Sequence, residues 1–550
     1  MFVSESLLVV AMDTGRRHLP LFLILWLLVE LMFVVQGNVV FQVRHKYGGA
    51  KAQLRELRDH DSRRHGRMLG NVDLCWVVTV RPPVLHRFRR CDEVDHIHAW
   101  FSFEEKVKWK KLYYTKITIG NPPVDYHVQV DTGSDIVWVN CKTVRIVPPK
   151  LVSVLSSYCF YPWIKPLSEA HFILEPDGCL WFLLIHQITL RQYDLKASST
   201  GSVVTCDQHF CTAVSETNQN CKAGMNCAYT VTYGDGTKTE GYYVQDDFKL
   251  DQVTGNHQTS AMNGSIAFGC STKQAGDAPT SQAIDGLIGF GQDNTSIISQ
   301  LASLGKVKKV FSHCLDSKKG GGIFAIGEVV EPKVNKTRLV PRQLHYNAVM
   351  EAIDVGGKQL DFPKGIFGLP TSVNAVIDSG TTLAYLPSDL YKQLMEMIMA
   401  QHQEIKLHTV EDLFKCFWYN GNIDDGFPVI KFHFEDSLSL TVYPHNYLFE
   451  VKDEEYCIGW QSSVMKSRDG TEMTLLGDIV LADKLFVYDI ENQTIGWTEY
   501  DCGTSIKVKD EKTGSVYDVA AHNISSGGNW LRDTGVSFLL FIAIVLNLIA

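Results

Sequence analysis

The sequence predicts a mainly β protein built as two equivalent lobes, and three observations predict it. From Tyr113 onward, short runs of Val, Ile, Tyr and Phe alternate with Gly, Asp and Asn at short intervals, the pattern of mostly antiparallel strands. An apolar strand running into Asp, a small hydroxyl residue, Gly and a second hydroxyl residue occurs twice. It reads Val128-Gln-Val-Asp131-Thr132-Gly133-Ser134 and then Ala375-Val-Ile-Asp378-Ser379-Gly380-Thr381. Later in each half an apolar pair precedes Gly, as Leu287-Ile288-Gly289 and Leu475-Leu476-Gly477. Two lobes that each give one carboxylate would set Asp131 and Asp378 face to face across a cleft.

The elements follow from local pattern. Strands are expected over Tyr113 to Ile119, Tyr126 to Val130, Ile136 to Val139, Ala228 to Tyr233 and Gly241 to Leu250. Asp235-Gly236 between Tyr-rich strands is a tight hairpin signal. The best helical pattern runs from Ser388 to Gln401, with Ser388 placed to cap and Leu390, Leu394 and Ile398 recurring every four residues. Gly320-Gly321-Gly322 lacks the Lys-Ser/Thr of a phosphate loop and reads as a turn between strands.

A chain of 550 residues, 45% hydrophobic and 21% charged, suffices for two or more packed domains and excludes disorder, collagen and coiled coil. The net charge of -9 lacks the basic excess of a nucleic-acid binder. Residues 1–110 hold 17 Lys and Arg against 12 Asp and Glu, a net +5, which leaves -14 for the rest. A basic front precedes an acidic body.

The two ends bear on the compartment. Arg16, Arg17 and His18 precede the apolar run Leu19 to Val35 and the small residue Gly37, the layout of a secretory signal over 12–37, with an uncleaved anchor as the alternative. Met12 is a candidate start. Residues 536–550 form an apolar tail without following basic residues, preceded by small residues Ser525, Ser526, Gly527 and Gly528. That is the layout of a lipid-anchor signal whose tail is removed; an intact tail anchor and a core helix are the other readings. Sequons at Asn263, Asn294, Asn335, Asn492 and Asn523 fit exposure to the secretory lumen as glycosylation candidates. In such surroundings Cys206, Cys211, Cys221 and Cys227 are expected as nested disulfides, Cys206–Cys227 and Cys211–Cys221, rather than a zinc site.

Between the ends the chain divides into a pro-segment over 38–110, an N-terminal lobe over 111–330, a C-terminal lobe over 331–505 and a linker with the anchor attachment region over 506–535. The interval from Asp to the later Gly is 158 residues in the first half and 99 in the second, so the first lobe carries 59 more. Much of the surplus is the block 142–190, whose Leu180-Trp-Phe-Leu-Leu-Ile185 run and adjacent prolines lack the turn chemistry around it. The block at about 75–109 breaks texture in the same way. Retained intron sequence and a true insertion are both open for these blocks.

Two carboxylates sharing one proton can hydrolyse a peptide without a covalent intermediate. The ionised one takes a proton from water while the protonated one donates to the carbonyl oxygen. Like charges about 3 Å apart cannot both ionise, so activity is expected in acid, with apparent pKa values that belong to the pair. Gly133 and Gly380 let backbone N–H groups approach the carboxylates, and Ser134 and Thr381 can donate to the outer oxygens. Asp13-Thr14-Gly15 spells the same triplet beside the signal core, follows no buried strand and is a decoy.

The two Asp-hydroxyl-Gly-hydroxyl motifs, the Tyr233-Gly234-Asp235-Gly236 hairpin and both apolar-Gly partners resemble the pepsin family of aspartic endopeptidases. The plant branch of secreted, often membrane-anchored members fits best. The resemblance covers residues 111–141 and 191–503. It implies a bilobal pepsin-like fold, Asp131 and Asp378 as the dyad, Tyr233 on a flap over the substrate with Trp138 behind it, and peptide or protein substrates without cofactor or metal. It also implies Cys416–Cys457 and Cys270–Cys502 disulfides. The expected protein is a monomeric zymogen, held to the membrane through its lipid anchor and shut by a basic pro-segment paired with the acidic body. One departure stands out. Cys141 is followed by Cys159 and Cys179 inside the odd block and not by the family's compact cysteine knot, so its partner is left open, as is that of Cys314. The rival readings are a noncatalytic binding protein on the same fold and an unproductive isoform of the protease.

Overall fold

The computed structural model describes residues 39–45, 113–142, 150–158, 171–174, 180–188, 191–214, 221–233, 238–275, 285–317, 321–362, 373–410, 414–452, 454–463, 472–510, 513–520 and 525–526. The expected signal and apolar tail lie outside these residues, as does the pro-segment apart from 39–45.

The internal echo of the sequence is an echo of topology. In the first half, Tyr113–Ile119 lies antiparallel to Val124–Asp131, which runs parallel to Gly286–Gly289; that strand is antiparallel to Trp138–Asn140, itself parallel to Gln258–Ala275. In the second half, Asn347–Val355, Val373–Ile377, Thr474–Leu476, Ala384–Leu386 and Trp460–Ser462 repeat the same order with the same sense at each step. Each half therefore threads its carboxylate strand between a hairpin partner and a returning apolar-Gly strand. The fold is mainly β and bilobal, as the alternating pattern predicts.

A sheet joins the halves. Asn335–Arg338, Thr494–Glu499, Lys484–Asp489, Val310–Asp316, Gly321–Ile326 and Val39–His45 lie side by side. Because side chains alternate across a strand, this sheet has two apolar faces. Phe311, Phe324, Phe486 and Tyr488 join the main core. Val310, Cys314, Ile323, Leu485 and Val487 form a second cluster with Ile506, Val508 and Val519. Those last residues belong to the hairpin Ile506–Lys509 and Val516–Val519. The stretch expected as linker from residue 506 thus begins as a folded cover for the sheet. Val39–His45, inside the expected pro-segment, pairs with Gly321–Ile326 on one edge and with Tyr113–Ile119 and Lys238–Gly255 on the other.

The expected helix is present over Ser388–Met399, with Leu390, Leu394 and Ile398 fully buried. Its cap differs from expectation. Pro387 is the capping residue, and Ser388 N–H donates instead to Glu472 Oε2 at 2.6 Å.

The disulfides correct three pairings. Cys206 joins Cys221 and Cys211 joins Cys227, in place of Cys206–Cys227 and Cys211–Cys221. Cys211 rides on the short helix His209–Val214, which carries it to Cys227 and leaves Cys206 for Cys221. Cys270 joins Cys141, not Cys502: its strand runs parallel to Trp138–Asn140, with Cys270 opposite Val139, so the Cα atoms of Cys141 and Cys270 stand 5.4 Å apart. Cys502 instead meets Cys314 beneath the joining sheet, Cα to Cα 5.3 Å. Cys416 and Cys457 are bonded and lie directly opposite one another in adjacent strands, Cα to Cα 4.0 Å. The ten cysteines in these five bonds all lie outside the two odd blocks, and the four others, Cys75, Cys91, Cys159 and Cys179, all lie within them.

Within the odd block, among the described residues, Lys150–Tyr158, His171–Leu174 and Leu180–Ile188 pair only with one another. The chain leaves and rejoins the lobe at adjacent points. Lys142 N–H donates to Tyr193 O (3.0 Å), Tyr193 N–H donates to Asn140 O (2.7 Å), and Arg191 N–H donates to the buried carboxylate of Asp285 (2.7 Å).

Candidate active site

Asp131 and Asp378 end the two equivalent strands and are both buried, 0% and 2% exposed. Burial of two carboxyl groups demands hydrogen-bond donors, and the motif supplies them in the same way twice. Asp131 Oδ1 accepts from Gly133 N–H at 2.8 Å and Oδ2 from the Ser134 hydroxyl at 2.7 Å. Asp378 Oδ1 accepts from Gly380 N–H at 2.7 Å and Oδ2 from the Thr381 hydroxyl at 2.7 Å. Every polar position of the motif is used.

The two loops hold each other. Ser379 N–H donates to Thr132 Oγ1 (2.8 Å), and Thr132 N–H donates to Ser379 Oγ (3.3 Å). This reciprocal pair ties the residue after Asp131 to the residue after Asp378. The returning strands brace the loops from outside: Phe290 and Gly291 N–H donate to Asp131 O and Ser134 O, and Asp478 N–H donates to Thr381 O. The close approach explains the apolar-Gly pattern. A Cβ at Gly289 would lie 2.4 Å from the Asp135 carbonyl, and one at Gly477 would lie 2.3 Å from Leu383 O.

Tyr233 follows the strand Ala228–Thr232, which pairs antiparallel with Lys238–Gly255 to form the expected hairpin. The Trp138 indole N–H donates to the Tyr233 hydroxyl at 2.7 Å. The hairpin tip, with Gly234, Asp235 and Gly236, lies outside the described residues. Asp135, next to Ser134, is a carboxyl that sequence reasoning passed over. Burial raises its pKa from the ordinary value, against the lowering effect of the Asp293 N–H bonded to it.

The other expected sites fall far from this centre in sequence. Asn263, Asn294, Asn335 and Asn492 are exposed, but the Asn492 side-chain nitrogen already donates to both oxygens of Asp489, at 3.1 and 3.0 Å. Asn523 and Gly527 lie outside the described residues. Ser525 and Ser526 are described in backbone only, paired in parallel with Gln258 and Thr259. Among the described residues no group of His, Cys, Asp and Glu side chains is arranged to hold a metal ion, and no helix is long and apolar enough to cross a membrane.

A model of the eukaryotic aspartyl protease family matches residues 112–500. The chain is 42% identical over 538 residues to aspartic proteinase 36 of Arabidopsis thaliana, covering 98% of each chain. It is 41% identical over 511 residues to aspartic proteinase 39 of the same plant, covering 93% of this chain and 94% of that one. To aspartic proteinase nepenthesin-2 of Nepenthes gracilis it is 28% identical over 412 residues, 72% of this chain and 78% of that one.

Proposed function

The chain belongs to the eukaryotic aspartyl protease family and is an aspartic endopeptidase, and from that premise we propose that Asp131 and Asp378 are its catalytic dyad. The observation that carries the assignment is the reciprocal Thr132–Ser379 bond between two loops with matching hydrogen-bond sets. One carboxylate, ionised, takes a proton from the water that attacks the peptide carbonyl. The other, protonated, donates to the carbonyl oxygen. When the tetrahedral species collapses, the C–N bond breaks and a proton passes to the leaving nitrogen. Ser134 and Thr381 hold the outer carboxylate oxygens, Gly133 and Gly380 the inner ones, and Tyr233, steadied by Trp138, closes over an extended peptide with the Gly234-Asp235-Gly236 tip.

The enzyme acts as a monomer, made with a signal over 12–37 and a pro-segment over 38–110, and tethered to the outer cell surface by a glycolipid joined at Ser525, Ser526 or Gly527. The apolar tail 536–550 and the small residues before it support the tether. The basic stretch Lys46 to Arg67 facing an acidic body supports a pro-segment released as carboxylates protonate. Residues 143–190 are an appendage, since the lobe closes at Lys142 and Tyr193 without them.

Changing Asp131 to Asn separates catalysis from a binding role on the same fold. Cleavage of a denatured protein substrate should fall by about 10³-fold or more, while the melting temperature stays close to that of the unchanged protein. An unchanged cleavage rate would remove Asp131 from the dyad. For the tether, a phospholipase specific for glycosylphosphatidylinositol should release the protein from cells; retention after treatment would favour an intact tail anchor.

A further inference from the structure

One carboxyl beside the dyad has no part in the proposed mechanism. Asp135 is half-buried and directly follows Ser134, whose hydroxyl donates to Asp131 Oδ2. Its Oδ1 accepts from Asp293 N–H at 2.9 Å. Asp293 lies in the loop that leaves the returning strand Gly286–Gly289, and three N–H groups of that loop fall on the Asp131 motif in turn. Phe290 N–H donates to Asp131 O (2.8 Å), Gly291 N–H to Ser134 O (2.9 Å), and Asp293 N–H to the Asp135 side chain. Gly291 makes space for that carboxylate, since a Cβ there would collide with Asp135 Oδ1.

The second lobe braces its loop by another route. Its returning strand Thr474–Leu476 runs through Gly477 into the short helix Asp478–Leu481, and the N–H groups of Val480 and Leu481 donate back to Gly477 O, at 2.9 and 3.2 Å. Leu481 stands at the same distance along the chain from Gly477 as Asp293 from Gly289. A backbone N–H must find an acceptor; in the second lobe the helix provides it, and in the first the Asp135 side chain does. The residue equivalent to Asp135 is Thr382, whose backbone O accepts from Ile479 N–H at 3.0 Å.

The same first-lobe loop reaches toward the other carboxylate. The Tyr346 hydroxyl donates to Phe290 O at 2.7 Å, and the Tyr346 carbonyl accepts from Ile377 N–H at 2.9 Å. Ile377 is the residue before Asp378. Gln292 Nε2 donates to His345 O at 2.9 Å. Loop 290–293 is thus tied to the Asp131 motif directly and to the Asp378 strand through Tyr346.

We propose that Asp135 is a positioning residue for the dyad: by fixing Asp293 it clamps loop 290–293 against Ser134 and so holds the hydroxyl that orients Asp131. The inference rests on reading Asp131 and Asp378 as the dyad. Without the clamp one of the three ties is lost, Gly291 and Ser134 can shift, and the Ser134 hydroxyl loses its aim at Asp131 Oδ2. A misplacement of that kind lowers kcat and leaves substrate binding nearly as it was. The loop needs an acceptor at position 135 rather than a charge. Burial raises the pKa of this carboxyl and so favours its neutral form, which still accepts through its carbonyl oxygen.

The test compares Asp135→Ala, Asp135→Asn and Asp135→Thr in the full-length, acid-treated protein, each alone and combined with Ser134→Ala. Asp135→Ala should lower kcat about tenfold, the size expected of one lost hydrogen bond, with KM within about twofold. Asp135→Asn keeps an acceptor for Asp293 N–H and should restore the rate. Asp135→Thr gives the first lobe the residue of the second; its side chain is shorter, so it should lose as much as Asp135→Ala, and it carries both arms of the test if Asp135→Ala does not fold. Because Asp135 acts through Ser134, adding Asp135→Ala to Ser134→Ala should slow the enzyme further by no more than about twofold. A purely structural role predicts instead a lower melting temperature with kcat unchanged, or losses that multiply. Folded variants with unchanged kcat, multiplying losses, or an Asp135→Asn enzyme as slow as Asp135→Ala would each overturn the proposal. A wild-type chain without inhibitor-sensitive acid activity would overturn the dyad reading and this inference with it.

Discussion

The two lobes spend the same motif in different surroundings. Around Asp131 and Asp378 they match hydrogen bond for hydrogen bond, and the five strands that deliver each carboxylate repeat in order and sense. Seven residues beyond each Asp the match fails. Trp138 in the first lobe donates to the Tyr233 hydroxyl, whereas the equivalent position in the second is Tyr385, buried against the Cys416–Cys457 cluster. The first lobe also carries the hairpin that leads to Tyr233 and the strands of the block 142–190. On the proposed reading, the difference teaches that the chemistry needs symmetry only within the carboxylate loops and that substrate closure falls to one side.

The comparison can be broken or sharpened in graded ways. Replacing both Cys141 and Cys270 by Ala should cost about 2–5 kcal/mol of stability by thermal or denaturant unfolding. The bond closes 129 residues against 41 for Cys416–Cys457, so on the chain-entropy view its loss should exceed that of the second-lobe bond by about 1 kcal/mol. Equal losses would mean that native-state effects dominate. Next in size, Ser134→Ala and Thr381→Ala should each raise the barrier to cleavage by about 1.5–3 kcal/mol, the range for a hydrogen bond to a charged group. Similar kcat losses are the prediction of symmetry; a clear excess on one side would show that the carboxylates have unequal roles in the rate-limiting step.

Smaller effects probe the asymmetry. Trp138→Phe removes the bond to Tyr233 and should cost about 0.5–1.5 kcal/mol in kcat/KM, whereas Tyr385→Phe should leave kcat/KM almost unchanged. Equal effects would contradict a one-sided closure. Smallest of all, joining Lys142 to Arg191 by a flexible Gly-Ser linker long enough to cross between these parallel segments, in place of 143–190, should leave melting temperature and specific activity within error, because the exit and return segments are hydrogen-bonded to each other. A collapse of either would make the block part of the lobe.

Much of this was legible in the sequence because the informative features are local and repeated. The two Asp motifs, the apolar-Gly partners and the helix with Leu390, Leu394 and Ile398 each follow from a short pattern with one physical reading. What was missed depends on distant partners. Ser388 looks like a cap until Glu472, 84 residues away, takes its N–H. A nested order for the four clustered cysteines ignores the short helix that turns Cys211 toward Cys227. Cys270–Cys502 is what the resemblance implies, and no local pattern shows that the strand of Cys270 runs beside Trp138–Asn140. The folded hairpin at 506–519 reads as linker because the apolar face it covers is built from strands of both halves.

The central claim is that two carboxylates from two lobes share one proton. The most direct measurement is the rate of cleavage of a denatured protein substrate by the secreted, acid-treated chain from about pH 3 to about pH 7, with and without a statine-type inhibitor. The account predicts a bell-shaped profile peaking in acid, abolished by the inhibitor, and lost in both Asp131→Asn and Asp378→Asn. Activity that rises toward neutral pH, or that survives either substitution in a folded sample, would contradict it.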